Sequence, residues 1–133
     1  MKSIIIAIIC LISSTTFAQS NFEKSMGQAM GLWQSGETKK AAALLERISQ
    51  VEKNNWIPAY YQAMVFTTAS FKEKNKETQA KYIQSAEDIL KSTAQDNNPE
   101  WLILRAMNKT ALMITDPMTK GKELSPIIMG LYK

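Results

Sequence analysis

The chain of 133 residues contains no histidine and a single cysteine, Cys10. Without histidine there is no Ser-His-Asp triad, no Cys-His nucleophile pair and no histidine-based zinc site. Glycine and proline are scarce, at five and four residues. No two glycines are close enough to form a phosphate-cradling loop, because Gly27, Gly31, Gly36, Gly121 and Gly130 stand singly. Neither sign of charge dominates either. The formal net charge is +4, and acidic and basic residues alternate along the chain. That pattern argues against nucleic acid or a lipid surface as the partner. No cofactor and no metal is expected, and with these side chains missing the expectation is a protein that is not an enzyme.

The N-terminus reads differently from the rest. Met1-Lys2 is a short positive start, Ile4 to Ile12 is an almost unbroken apolar run, and Thr16-Phe17-Ala18 places small residues where signal peptidase reads. This is the pattern of a secretory signal peptide over 1–18, cleaved after Ala18. The apolar run is about half of the ~20 residues that a membrane span requires, so an uncleaved anchor is disfavoured. Cys10 follows Ile9 inside the apolar core, where a lipoprotein site would want a small residue. Cleavage removes Cys10 and Lys2, so residues 19–133 would carry no cysteine and a net charge of +3. Export to the periplasm or beyond is expected, with no membrane span after cleavage. The remaining domain would be held by packing without disulfides.

Residues 19–133 read as helices. Ala, Leu, Met, Gln, Glu and Lys dominate, and breakers separate helix-length segments. The breaks fall at Ser35-Gly36, Asn54-Asn55 with Pro58, Lys74-Asn75-Lys76, Asp96-Asn97-Asn98-Pro99, Asp116-Pro117 and Ser125-Pro126. Within segments, apolar residues recur at three and four, as in Ala41, Leu44, Leu45, Ile48 and Val51. This predicts five full helices and a short terminal one.

An internal repeat is also visible. Ala-Met occurs at Ala29-Met30, Ala63-Met64 and Ala106-Met107, and Asn-Asn at Asn54-Asn55 and Asn97-Asn98. The first Ala-Met spacing is 34 residues, and the second is nine longer. The Asn pairs keep step, each lying eight or nine residues before an Ala-Met. A helix-turn-helix unit is therefore repeated, with the extra residues expected around Phe71 to Lys81, which is polar and rich in lysine.

These features resemble the tetratricopeptide (TPR) repeat. Gly36-Glu37-Thr38-Lys39-Lys40-Ala41 looks like the turn and second-helix start of that family, and Leu45 and Ile48 fall at its core positions. Ala29, Ala63 and Ala106 take the small position of the first helix in each unit, which lets two helices approach closely. The chain departs from the pattern in having Gln28, Gln62 and Arg105 before the small residue and an overlong second unit. A generic three-hairpin bundle is the alternative. The resemblance implies an all-α fold, a short right-handed α-solenoid with units of about 22–55, 56–98 and 99–133, the last incomplete. It is similar, signal included, to short exported TPR proteins of Gram-negative bacteria.

The resemblance also implies a concave face lined by the first helix of each unit. Met26, Met30 and Trp33 would stand there, then Tyr60, Met64 and Thr67, then Ile103, Met107 and Thr110. A methionine-rich and aromatic groove suits a pliable helical or peptide ligand, with Trp33 and Tyr60 as anchors. The competing reading is that the same stripe is ordinary core. Trp56 and Trp101, near helix starts, are expected to pack between units. Glu87 and Asp88 are read as surface residues, and Arg105 as the partner of a nearby acid. The expected function is an adaptor or scaffold binding a peptide or partner protein. The alternative is a structural subunit that self-associates through its C-terminal helix, where Ile127-Ile128-Met129 lacks a following helix to cover it.

Overall fold

The computed structural model describes residues 20–93 and 95–133. The expected leader, residues 1–18, lies outside the described residues. Among the described residues every regular element is a helix: α1 (residues 20–34), α2 (Thr38–Val51), α3 (Ile57–Lys72), α4 (Lys76–Ser92), α5 (Pro99–Thr115) and α6 (Pro117–Leu131). The protein is all-α, an array of helical hairpins in which neighbouring helices pack.

The breakers do their work through identifiable hydrogen bonds. Gly36 has φ of +81°, a left-handed conformation that costs an L side chain about 1 kcal/mol or more. Its N–H donates to Trp33 O at 3.0 Å and the Glu37 N–H to Leu32 O at 2.9 Å. These two bonds are the Schellman pair that satisfies the last carbonyls of α1. Three later helices open with side-chain caps, each serving an N–H that the helix itself cannot. Asn75 Oδ1 accepts from Thr78 N, Asn98 Oδ1 from Glu100 N, and Asp116 Oδ1 from Thr119 N. Pro99 and Pro117 occupy first-turn positions where no N–H is needed.

Ala29, Ala63 and Ala106 are each completely buried. They sit on the first helix of the three hairpins, where a methyl group is the largest side chain that keeps the neighbouring helix close. Ala29 packs with Ala41, Leu45 and Val65, joining α1, α2 and α3. Ala63 packs with Ala86, Leu90, Trp101 and Leu104, joining α3, α4 and α5. Ala106 packs with Leu124 and Ile128, joining α5 and α6. α3 lies at the centre, against α2, α4 and α5. Its first fifteen residues, 57–71, carry no charge, which is what a helix enclosed on several sides requires.

The nine extra residues of the second repeat do not form a polar loop. The α1–α2 and α3–α4 turns, residues 35–37 and 73–75, are equally long. Instead α3 continues four residues further past Ala63 than α1 does past Ala29, and α4 is three residues longer than α2. The last two residues lengthen the linker to α5 and the first turn of α5. A turn of helix is 3.6 residues, so each arm of the second hairpin gained about one turn and the antiparallel register survived. Gln79 Nε2 braces the extension by donating to Ser70 O at 3.0 Å.

Two further expectations are corrected at the C-terminal end. Ser125-Pro126 does not end a helix, since α6 runs fifteen residues straight through Pro126. The proline is exposed, and it removes one backbone donor from the helix without ending it. The third hairpin therefore has both of its helices, with only Asp116 between them.

Candidate functional site

The repeat register locates each expected site residue. Adding 43 to a position on α3 gives its counterpart on α5, as Ala63 and Ala106 illustrate. Tyr60, Met64 and Thr67 thus correspond to Ile103, Met107 and Thr110. On α3 this stripe is covered. Tyr60 is only 9% exposed, and its hydroxyl donates to Glu100 Oε2 at 3.2 Å. Thr67 is fully buried and donates to Asn108 Oδ1 at 3.2 Å. Met64 is half-buried against the cluster containing Trp101 and Leu104. Glu100, Trp101, Leu104 and Asn108 all belong to α5, so the stripe on α3 is its contact with the next hairpin. Tyr60, expected to line an open groove, belongs to the core instead.

α1 repeats this arrangement. Met26, Met30 and Trp33 are half-buried against the first core cluster, and Trp33 meets Tyr61 of α3 edge-on at 6.4 Å between ring centres. On α5 the same stripe is not covered to that degree. Ile103 is 43% exposed and Ile114, one turn beyond Thr110, is 53% exposed, with Met107 and Thr110 half-buried between them. α6 adds Ile127 and Met129, both exposed, at the same end of the array. Of the nine residues expected on the concave face, only Ile103 is exposed, and Met107 is half-buried beside it.

The junction of α3 and α5 has specific electrostatics. Trp101, fully buried, donates its indole N–H to Leu90 O at 3.3 Å and meets Trp56 edge-on at 6.4 Å. Both tryptophans thus pack between hairpins, as their positions near helix starts imply. Burial, with the Glu100 charge and hydrogen bond beside it, pushes the Tyr60 phenol up to about 12. Arg105 pairs with Asp96 at 3.6 Å, the neighbouring acid anticipated for it.

Glu87 departs from the surface reading. It is half-buried, lies 3.5 Å from Lys91 and 3.6 Å from Lys109, and accepts from Asn108 Nδ2 at 3.4 Å. Sequence reasoning missed this network because Asn108 and Lys109 belong to a different helix and no local spacing connects them to Glu87. The lysines of the polar stretch from Phe71 to Lys81, Lys72, Lys74, Lys76 and Lys81, are all exposed, and Lys81 pairs with Glu77 at 3.2 Å.

Three of the cavities lie beside these features. The overhanging turn of the second hairpin leaves a step above the first, a cavity of about 570 Å³ between Trp33, Gly36 and Lys39 on one side and Thr68, Lys72 and Tyr82 on the other. The outer face of the first hairpin holds a second, of about 560 Å³, beside Phe22, Leu44 and Val51. The third lies between α4 and α6 over α5, with a volume of about 450 Å³. Among the described residues no group of three or more acidic, histidine or cysteine side chains could hold a metal ion. No helix among them is long and apolar enough to cross a membrane. In comparisons with known proteins, the chain matches no family model, no curated protein and no solved structure.

Proposed function

We propose that this protein is a non-catalytic interaction module of the TPR type, exported from the cell's interior, whose working surface is the open edge of α5. The observation that carries this reading is the difference between two equivalent stripes. On α3 the stripe holds the next hairpin, whereas on α5 Ile103 and Ile114 are exposed and Met107 is half-buried, with no following helix among the described residues. A surface already shaped to receive a helix in one unit is shaped to receive one in the next. The proposed partner is therefore a helical segment of another polypeptide, which would lay apolar residues at three- and four-residue spacing along α5. Adaptor or scaffold work of this kind needs no catalytic group. The absence of histidine from the chain supports it, as does a leader pattern that would carry off the one cysteine. The resemblance to TPR repeats is supported by burial of the three repeated alanines on successive first helices and by the turn at Gly36.

A second reading is self-association. The helix that covers the stripe of α3 is α5 of this same chain, so the α5 of a second copy has side chains suited to the open edge. Site-specific photo-crosslinking separates these readings. A photoreactive residue at Ile103 should capture one partner polypeptide in cell envelopes, and the same probe at Val51, 79% exposed on the first hairpin, should not. A captured second copy establishes self-association. Equal capture from both positions, or none from Ile103, removes α5 as the working surface.

A further inference from the structure

We propose that the cleft between α4 and α6 is a second binding site, specific for a small oxyanion carrying two or more negative charges. α4 and α6 both pack on α5 rather than closely on each other, which leaves a cleft of about 450 Å³, within the usual range for small-ligand sites. Lys109 and Lys120 line it, with Lys76 and Lys91 at its two ends on α4, against Glu87 as the single carboxylate. This excess of cations is uneven in kind. Lys109 is 19% exposed in its side chain, far less than Lys91 at 72%, yet the carboxylate beside it is shared with Lys91. Both contacts, 3.6 and 3.5 Å, are longer than the 2.7–2.9 Å of a charge-assisted hydrogen bond. The ammonium protons are therefore incompletely used. Glu87 is held in turn by the buried Asn108 amide, which fixes the carboxylate instead of letting it swing fully onto either lysine.

An oxyanion entering this cleft completes the charge balance that one carboxylate leaves unfinished. Phosphate and a compact polycarboxylate share that chemistry. The site stands apart from the α5 edge proposed above and does not depend on it.

The test is titration calorimetry of the purified full chain at low ionic strength, with inorganic phosphate and with citrate as the two probes. One saturable site is expected for at least one probe. Lys109→Met should weaken it by about tenfold or more. Glu87→Gln keeps an acceptor for Asn108 but removes the internal competitor, so it should tighten binding severalfold. Binding of phosphate alone assigns the site to phosphoryl groups, and binding of citrate alone to polycarboxylates. Should circular dichroism show that Lys109→Met loses helicity, Lys120→Gln, in the first turns of α6, serves as the binding variant. No saturable binding of either probe at about 10 mM overturns the proposal, since multivalent anions should occupy such a site well below that concentration. Binding unchanged in the lysine variants overturns it equally, as does binding weakened by Glu87→Gln.

Discussion

At one register of the repeat, α3 carries Thr67 and α5 carries Thr110, the same residue type on the equivalent side of the helix. The first is fully buried and hydrogen-bonded across to Asn108, whereas the second is only half-buried. At the first position of the stripe the contrast recurs, with Tyr60 at 9% exposure and its counterpart Ile103 at 43%. Equivalent positions thus have different surroundings because one helix has a following hairpin and the other has none described. A repeat motif specifies which side chains face forward along the array, and the neighbour decides whether that face is core or surface. The interior is also unequal. Trp101 and Leu104 fill the cluster beneath the second hairpin, while the third rests on Ala106, Leu124 and Ile128.

That inequality sets the order of expected effects. Trp101→Ala should cost the most, about 3–5 kcal/mol, because it empties the largest fully buried side chain at the α3–α5 junction. Urea unfolding measures it, and a loss near 1 kcal/mol would mean the junction is loosely packed. Tyr60 should produce the next largest change, at alkaline pH. Its phenol ionises near 12 when folded against about 10 when unfolded, so the neutral ring is favoured by folding. That contribution is fully present below pH 10 and is lost as pH rises from 10 toward 12, to a total of about 2–3 kcal/mol. Tyr60→Phe should remove this part of the alkaline transition, and an unchanged pH profile would show that Tyr60 is not held in the buried state.

Asn108→Val tests the polar link at the same junction. At this register α3 carries Val65, fully buried, so the shape is acceptable, but the Thr67 hydroxyl loses its acceptor. A loss of about 1–3 kcal/mol is expected, with Thr67→Val in the same chain recovering part of it. Full additivity of the two substitutions would contradict the link. Ile103→Asp should change stability least, by under about 0.5 kcal/mol, as exposed positions do. It should nevertheless abolish association with whatever binds α5. A large loss of stability would show that Ile103 is covered.

Much of the fold was legible before any coordinates. Helix boundaries followed Gly36, Asn75, Asn98-Pro99 and Asp116-Pro117, where backbone groups must be satisfied locally. The three alanines marked equivalent helices because only a small residue fits where two helices touch. Other features depend on contacts that periodicity does not encode. The spacing of Tyr60, Met64 and Thr67 places them on one face, and nothing in it identifies α5 as the element that meets that face. The lengthening of the second hairpin was hidden in a stretch rich in lysine and glutamate, residues as compatible with an exposed helix as with a loop. Pro126 suggested a break because proline removes a helical N–H and crowds the preceding turn, yet α6 continues through it. Glu87 reads as a surface residue from sequence because Asn108 and Lys109, which meet it, belong to another helix.

Cysteine accessibility tests the central claim most directly, that α3's forward face is closed and α5's is open. With Cys10 gone or replaced, single substitutions Thr67→Cys, Thr110→Cys and Ile103→Cys can each be labelled with a maleimide under native conditions. Ile103→Cys should react fastest, Thr110→Cys more slowly, and Thr67→Cys only as fast as the protein opens. Equal rates at Thr67→Cys and Ile103→Cys in a chain that keeps its helicity would contradict the account.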